Sequence, residues 1–340
     1  MNILQLISDK DRLSFSQNLS IQRNYLGDTL FPDLKTQHLE AEYFRLTDGL
    51  NLPTMAQVHG FDTEAAIGTR PTLEKVTIEK LLIKEKINQS EKTRMYLKTG
   101  VSEQALVSYV FDDMGRLADN VKTRTEVAKM EASSTGKLTV KENNLDFTID
   151  YGVPKENRMS VDWSSPEADI LGDIRSMIDI AKENGHTVNR CVASNKIVTL
   201  ICKNKAVQTA MYGVNGVGTF VSLGQLNTML SNMFGFTITV NDDRYRYKIT
   251  KDKYKTKRYI DEDVFILFQS LDGSIGTGLW GPTPEEEDMG PYTEKSSQQY
   301  ITLTQWETPD PRAVWTKASG VFIPVLPSPE SLIISKVKLA

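Results

Sequence analysis

Apolar and polar positions follow three different rhythms along the chain. Through about residue 60 there is no period. Apolar pairs such as Leu30-Phe31 and Tyr43-Phe44 stand among Asp, Asn, Thr, Pro32 and Pro53. A long aperiodic stretch inside a compact domain points to a functional or docking segment, so residues 1–50 are expected to form an extended arm. Gly60, Gly68 and Pro71, with Asp62, Thr63 and Thr69, then mark a polar loop running to about residue 88. From Leu73 to Ile87 the period is two: Val76 and Ile78 alternate with Thr77 and Glu79, before Leu81-Leu82-Ile83 and the Lys84-Glu85-Lys86 cluster. That pattern predicts a strand at one end of the loop.

At Ser102 the period lengthens. Leu106, Val110, Met114, Leu117, Val121, Thr125 and Ala128 recur every three or four residues, which aligns them on one helical face. Asp112, Asp113, Arg116, Asp119, Lys122, Arg124 and Lys129 are assigned to the other side, and Ser133-Ser134-Thr135-Gly136 to the stop. A helix over 102–132 would be roughly 45 Å long, more than a small domain spans, and needs a sheet or partners beside it. A hairpin is expected over Leu138–Tyr151, turning at Asn143-Asn144.

Asp162 to Pro166 reads as a boundary, with Ser165 as N-cap and Pro166 in the first helical turn. The stripe Ile170, Leu171, Ile174, Met177, Ile178, Ala181 predicts a helix ended by Gly185. Strands at Thr187–Val192, Phe236–Val240 and Val264–Phe268 alternate with helices starting at Ser194 and at the capping box Ser222–Gln225. This is an α/β or α+β pattern around a central sheet. The tail turns extended at Gln299–Leu303, Ala313–Thr316, Val321–Leu326 and Leu332–Ile334, with Pro324 assigning an edge position.

Composition bounds this picture. A length of 340 residues suggests two domains. With 39% hydrophobic residues and a net charge of -4, a wholly disordered chain and a dedicated, strongly basic nucleic-acid binder are both disfavoured. Two cysteines, Cys191 and Cys202, point to a reducing compartment. The start lacks a basic n-region, and no apolar run reaches the ~18 residues of a membrane span, so a soluble protein made in a cytoplasm is expected.

Catalytic constellations are weak. His38, His59 and His186 have no helical metal-ligand spacing. Gly213, Gly216, Gly218 and Gly224 lack the dinucleotide fingerprint because Val221 stands where it needs glycine. Gly136-Lys137 is followed by Leu138, which cannot serve a P-loop. The matches Ser134–Lys137 and Lys98-Thr99-Gly100 come in the wrong order for a serine acyl-transfer enzyme. No enzyme activity, metal or cofactor is expected. The run Glu285-Glu286-Glu287-Asp288 is expected to be a solvated loop.

Residues 241–260 differ: eight Lys and Arg against three Asp give a local +5. Arg244, Arg246, Lys248, Lys255, Lys257 and Arg258 interleave with Tyr245, Tyr247, Tyr254 and Tyr259. Two readings stay open: a hairpin turning at Thr250–Lys253 with its tyrosines on one face, or a nucleic-acid-binding module in which they form a stacking platform.

The C-terminal segment Trp306-Glu307-Thr308-Pro309-Asp310-Pro311-Arg312, with Thr316, Ser319, Pro324 and Pro327-Ser328-Pro329-Glu330, resembles the end of the major capsid proteins of phage lambda and its relatives. Arg258-Tyr259-Ile260-Asp261-Glu262-Asp263-Val264 and Gly278-Leu279-Trp280-Gly281 are similar to the strand and loop that precede that tail. The resemblance implies the α+β Hong Kong 97-type capsid fold. Its parts would be the arm (1–50), an extended loop (51–88), a peripheral domain with spine helix (89–160), an axial domain (161–298) and a return to the peripheral domain (299–340). It implies self-assembly into hexamers and pentamers, an icosahedral shell around double-stranded DNA, and a place in the virion after assembly in the host bacterial cytoplasm. With the spine helix starting near Ser102 there is no room for a fused scaffold, so a separate scaffolding protein is implied, besides a portal and a decoration protein. The basic residues of 244–258 would face DNA weakly or line the capsomer centre. Arg70, Lys75, Lys80 and Lys84 would make inter-subunit loop contacts. The arm and loop would be buried by neighbouring subunits.

Overall fold

The computed structural model describes residues 23–46, 55, 56, 58, 73–89, 103–250, 253–270, 272–287, 294–298, 300–310 and 312–339. Arg70, most of the polar loop, His59, Lys98-Thr99-Gly100 and the first 22 residues lie outside them.

In chain order, helix α1 (Leu26–Leu30) leads into β1 (Asp33–Lys35) and β2 (Glu40–Leu46). Strands β3 (Leu73–Glu79) and β4 (Leu81–Gln89) precede the long helix α2 (Glu103–Thr135), hairpin β5 (Lys137–Glu142) and β6 (Leu145–Asp150), and β7 (Arg158–Asp162). Next come α3 (Ile170–Glu183), β8 (Arg190–Ala193), α4 (Asn195–Lys203), α5 (Lys205–Tyr212), α6 (Leu223–Phe234) and β9 (Thr237–Val240). Hairpin β10 (Arg244–Thr250) and β11 (Lys253–Arg258), β12 (Val264–Phe268), β13 (Thr277–Gly281) and α7 (Pro284–Glu287) follow. The chain ends with β14 (Glu294–Gln298), β15 (Ile301–Pro309), β16 (Arg312–Val325) and β17 (Leu332–Lys338).

Two compact units share these elements. The first comprises Met1–Glu42, Thr77–Lys129 and Thr277–Val325; the second comprises Tyr43–Val76, Met130–Gly276 and Leu326–Ala340. Hairpin β5–β6 and β7 lie in the second unit. The tail after 299 is divided, because β17 inserts between β7 and β12 of the second unit's sheet.

In the first unit, β1, β13, β16, β15 and β14 follow one another across a sheet, and β4 also pairs with β16. Pro324 stands opposite Gly278 of β13, two residues beyond the end of the β4 ladder at Phe322. The missing N–H thus falls where the β4 pairing has already finished, and the strand runs through the proline to Val325. The expected strand over Leu73–Ile87 is two strands, divided at Lys80. A side chain at Gly320 would bring its Cβ to 3.1 Å from Val121 and 2.9 Å from Trp280. Glycine there lets α2 lie close against the sheet.

Helix α2 departs from the simple amphipathic reading. Met114, Leu117, Val121 and Ala128 are buried as expected, but so are Asp113, Lys122, Glu126 and Lys129. Gly136, at φ +66°, ends it.

The second unit has the sheet order β7-β17-β12-β8-β9. Its core gathers Trp163, Ile170, Ile174, Met177, Ile197, Ile201, Leu226, Leu230, Phe236, Phe265, Leu267 and Ile333. Asn143 and Asn144, both at positive φ, form the tight β5–β6 turn. The capping box at Ser222 and Gln225 is complete, and Gly235 closes α6 in the left-handed region. Helix α3 starts later than expected. Asp169 is its N-cap, accepting from the Gly172 N–H, whereas the Ser165 hydroxyl supports a turn by accepting from the Glu167 N–H.

Candidate functional site

Three sets of side chains stand out, and each is set by its local backbone. The first pins the N-terminal segment inside the first unit. Tyr25 Oη meets Thr123 Oγ1 at 2.9 Å, and the Gly27 N–H donates to Glu126 Oε1 at 3.0 Å. Lys129, completely buried, donates from Nζ to Asp28 Oδ1 and Asp33 Oδ1, both at 2.8 Å. Lys122 Nζ donates to Asp33 Oδ2 at 2.7 Å. Burial pushes the Asp33 carboxyl up, but Lys129 and Lys122 outweigh it and hold it below its ordinary value. Glycine is required opposite, since a Cβ at Gly278 would lie 2.8 Å from Asp33 Oδ1 and 2.9 Å from Phe322. Tyr25, Gly27, Leu30 and Phe31 are thus buried within their own unit, whereas Asp28, Thr29, Pro32 and Leu34 stay exposed. Lys122 and Lys129 were assigned to a solvent face by residue type alone. Their spacing with Glu126, at i, i+4 and i+7 on one face, is the signal that distinguishes them.

The second set surrounds the C-terminal tryptophan motif. Trp306 and Trp315 are register partners in β15 and β16, with rings stacked at 6.1 Å. Lys86 lies 4.5 Å from the Trp315 ring centroid and Lys317 lies 5.9 Å from that of Trp306. Pro309 pairs with Arg312 at the end of the ladder between these strands. The acidic run begins inside this unit instead of forming a solvated loop: Lys317 Nζ donates to Glu285 Oε1 at 2.6 Å, and Lys35 Nζ to Glu286 Oε1 at 2.8 Å. Burial raises the Glu285 carboxyl, yet its bond from Lys317 leaves it below the usual carboxylate value.

The third set is hairpin β10–β11 of the second unit. Tyr245 opposes Lys257 and Tyr247 opposes Lys255, whereas Lys248 opposes Tyr254 and Arg246 opposes Thr256. Alternation across the ribbon puts Tyr245 and Tyr247 on one face and Tyr254 on the other, under the Arg246 guanidinium at 4.9 Å. The expected single tyrosine face, and with it a continuous stacking platform, is not formed. Arg258 pairs with Asp242 and with Glu262 at the hairpin base. Arg244, Arg246, Lys248, Lys255 and Lys257 are exposed.

The loop lysines diverge. Lys75 and Lys84 are exposed on β3 and β4, but Lys80 is buried and donates from Nζ to Thr36 Oγ1 and the His38 carbonyl. It fixes the chain internally. His186 is also buried, with Nδ1 3.0 Å from Gln269 Oε1. Among the described residues, no group of three or more His, Cys, Asp or Glu is placed to hold a metal ion, and no helix is long and apolar enough to cross a membrane.

The architecture is the mixed helix-and-sheet fold of Hong Kong 97-type capsid proteins. A protein assigned as the capsid protein of an E. coli CFT073 prophage superposes with a TM-score of 0.60 at 16% identity, covering 100% of this chain and 99% of its own. A phage-related protein from Bordetella bronchiseptica RB50 gives 0.56 at 11% identity, covering 97% of each chain. The mature capsid of bacteriophage PhiM1 gives 0.50 at 8%, covering 93% of this chain and 88% of its own. At these identities the likeness is one of fold.

Sequence carries the assignment further. Residues 16–337 match the family described as phage major capsid protein E, and the chain belongs to that family. It is a structural protein of a phage capsid shell, a class of virion component and not an enzyme class. Comparison with curated proteins gives no match.

Proposed function

We propose that the chain is the repeating subunit of an icosahedral phage head, closing through hexamers and pentamers around double-stranded DNA. The observation that carries this reading is the family match over residues 16–337, which runs through all the elements of both units. Closed shells are built by repeating one set of subunit contacts under symmetry. Exposed strands β3 and β4, with Lys75 and Lys84, offer one such contact surface. A scaffolding protein, a portal and a decoration protein are the partners this role implies, assembly taking place in the bacterial cytoplasm. Contact with packaged DNA is weak, in keeping with a chain of net charge -4.

The test is to express the full chain with and without its phage's scaffolding protein and to examine the product by sedimentation and negative-stain electron microscopy. Rings and closed shells of repeating subunits are expected. Monomers at every salt concentration, scaffold included, would overturn the reading.

A further inference from the structure

Two hairpins in the second unit make an internal comparison. Hairpin β5–β6 neutralises itself across its strands, with Lys137 2.8 Å from Asp150 and Lys141 3.7 Å from Asp146. Hairpin β10–β11 does the opposite. Among the described residues, no carboxylate lies within ion-pairing distance of Arg244, Arg246, Lys248, Lys253, Lys255 or Lys257. Arg244 even stands directly opposite Arg258. Like charges facing one another across strands destabilise a ribbon. This one is also two-stranded and joined to no other sheet among the described residues, an arrangement marginal in water by itself.

Its base is well held. Arg258 grips Asp242 and Glu262, the Tyr259 N–H donates to the Asp243 carbonyl, and Tyr245 packs on Tyr259 at 5.0 Å. Its outer half is held, among the described residues, by the strand pairing and by the Arg246 guanidinium over Tyr254 at 4.9 Å. There Ile249 is 57% exposed, Tyr254 54% and Tyr247 39%, interspersed with the uncompensated cations. A firm base carrying an uncovered, charged and partly apolar end is built to be covered by something else.

We propose that hairpin β10–β11 docks on a neighbouring copy of this chain, whose carboxylates neutralise Arg246, Lys248, Lys255 and Lys257 while its apolar surface covers Tyr247, Ile249 and Tyr254. The inference rests on the capsid reading, which supplies the second copy. Charge complementarity supports that occupant: residues 241–260 carry +5 within a chain of -4, leaving -9 on the remainder. The apolar residues separate a protein surface from DNA, because a phosphate backbone would satisfy the cations and leave Ile249 and both tyrosines uncovered. A ribbon charged on both faces suits a seat between two walls of a subunit ring.

The experiment compares the full-length wild type with R246Q/K248Q/K255Q/K257Q. Because these substitutions relieve repulsion within the free ribbon, the melting temperature of the unassembled protein is expected to hold or rise. The concentration needed to form rings and shells is expected to rise at least tenfold. In a second measurement, a photo-crosslinking amino acid replaces Ile249 in a mixture of 14N- and 15N-labelled protein, and mixed-label crosslinks are expected. Shells of the quadruple variant at the wild-type concentration, or crosslinks confined to one chain, would overturn the docking but leave the capsid reading intact. So would binding of random-sequence duplex DNA that the variant loses while assembling normally, which would make the hairpin a nucleic-acid contact. A wild type that remains monomeric overturns the capsid reading, and the docking with it.

Discussion

Asp33 shows how much one residue can organise. It accepts from two buried ammonium groups, Lys122 at 2.7 Å and Lys129 at 2.8 Å. Removing one partner of a buried ion pair leaves the other's charge desolvated and uncompensated, at a cost of about 3–5 kcal/mol. Asp33→Asn is therefore expected to destabilise the first unit by about 3 kcal/mol, read by denaturant unfolding with a fluorescence probe. The pH dependence has a definite sign. The folded carboxyl titrates below its unfolded value, so its stabilisation is complete above about pH 4 and is lost as pH falls through the folded value. Other carboxylates contribute in the same window, so the comparison must be between curves. Below pH 4 the gap between wild type and Asp33→Asn should narrow. A constant gap from pH 7 to pH 3 would deny Asp33 this role. None of this cluster was legible from residue type. A lysine normally belongs to solvent, and the carboxylates that bury Lys122 and Lys129 lie about a hundred positions away along the chain.

Elements were far more legible, because their signals are local. Helix α2 was found from its period and ends within three residues of the expected stop, and the β5–β6 turn sits on Asn143 and Asn144 as expected. Strand β12 coincides with Val264–Phe268, a run of five buried apolar residues preceded by a turn at Glu262-Asp263. The tyrosine face of β10–β11 failed because register, not composition, decides which residues share a face. Once Lys248 pairs with Tyr254, Tyr254 cannot join Tyr247. Helix ends permit a sharper test. Gly136 and Gly235 both adopt positive φ, +66° and +81°. A Cβ at Gly136 would meet Val153 Cγ2 at 2.5 Å, whereas nothing lies within 4 Å at Gly235. Gly235→Ala carries only the left-handed backbone penalty, about 1 kcal/mol. Gly136→Ala adds overpacking and is expected to cost about 3 kcal/mol. Equal losses in the two variants, measured by thermal unfolding, would remove the steric component.

For the molecule as a whole, the sequence pattern supported two domains but not their composition, since neither unit is a continuous stretch. Strand β17 illustrates why: Leu332–Lys338 reads as a strand, yet nothing local says that it lies parallel to β7 and antiparallel to β12. That placement depends on pairing across more than sixty residues on one side and more than a hundred and sixty on the other. It leads to a prediction about autonomy. The insertion Thr277–Val325 leaves and re-enters the second unit at adjacent points, because Thr277 and Val325 are register partners in the antiparallel pair β13–β16. Paired residues of this kind have Cα atoms roughly 5 Å apart, so three or four flexible residues can join Gly276 directly to Leu326. A chain of residues 130–276, that short Gly-Ser linker and 326–340 retains all five strands of the second unit's sheet and every residue of its hydrophobic cluster. It is expected to unfold cooperatively with heat and to show dispersed amide resonances. The continuous piece 161–298 lacks β17 and most of β7. It exposes the β12 edge and loses Ile333 and Val337 from the core, so it is expected to aggregate or remain unfolded. If 161–298 folds as well as the joined chain, the C-terminal strand is an accessory; if the joined chain fails, the second unit depends on the inserted segment or on the chain before Met130.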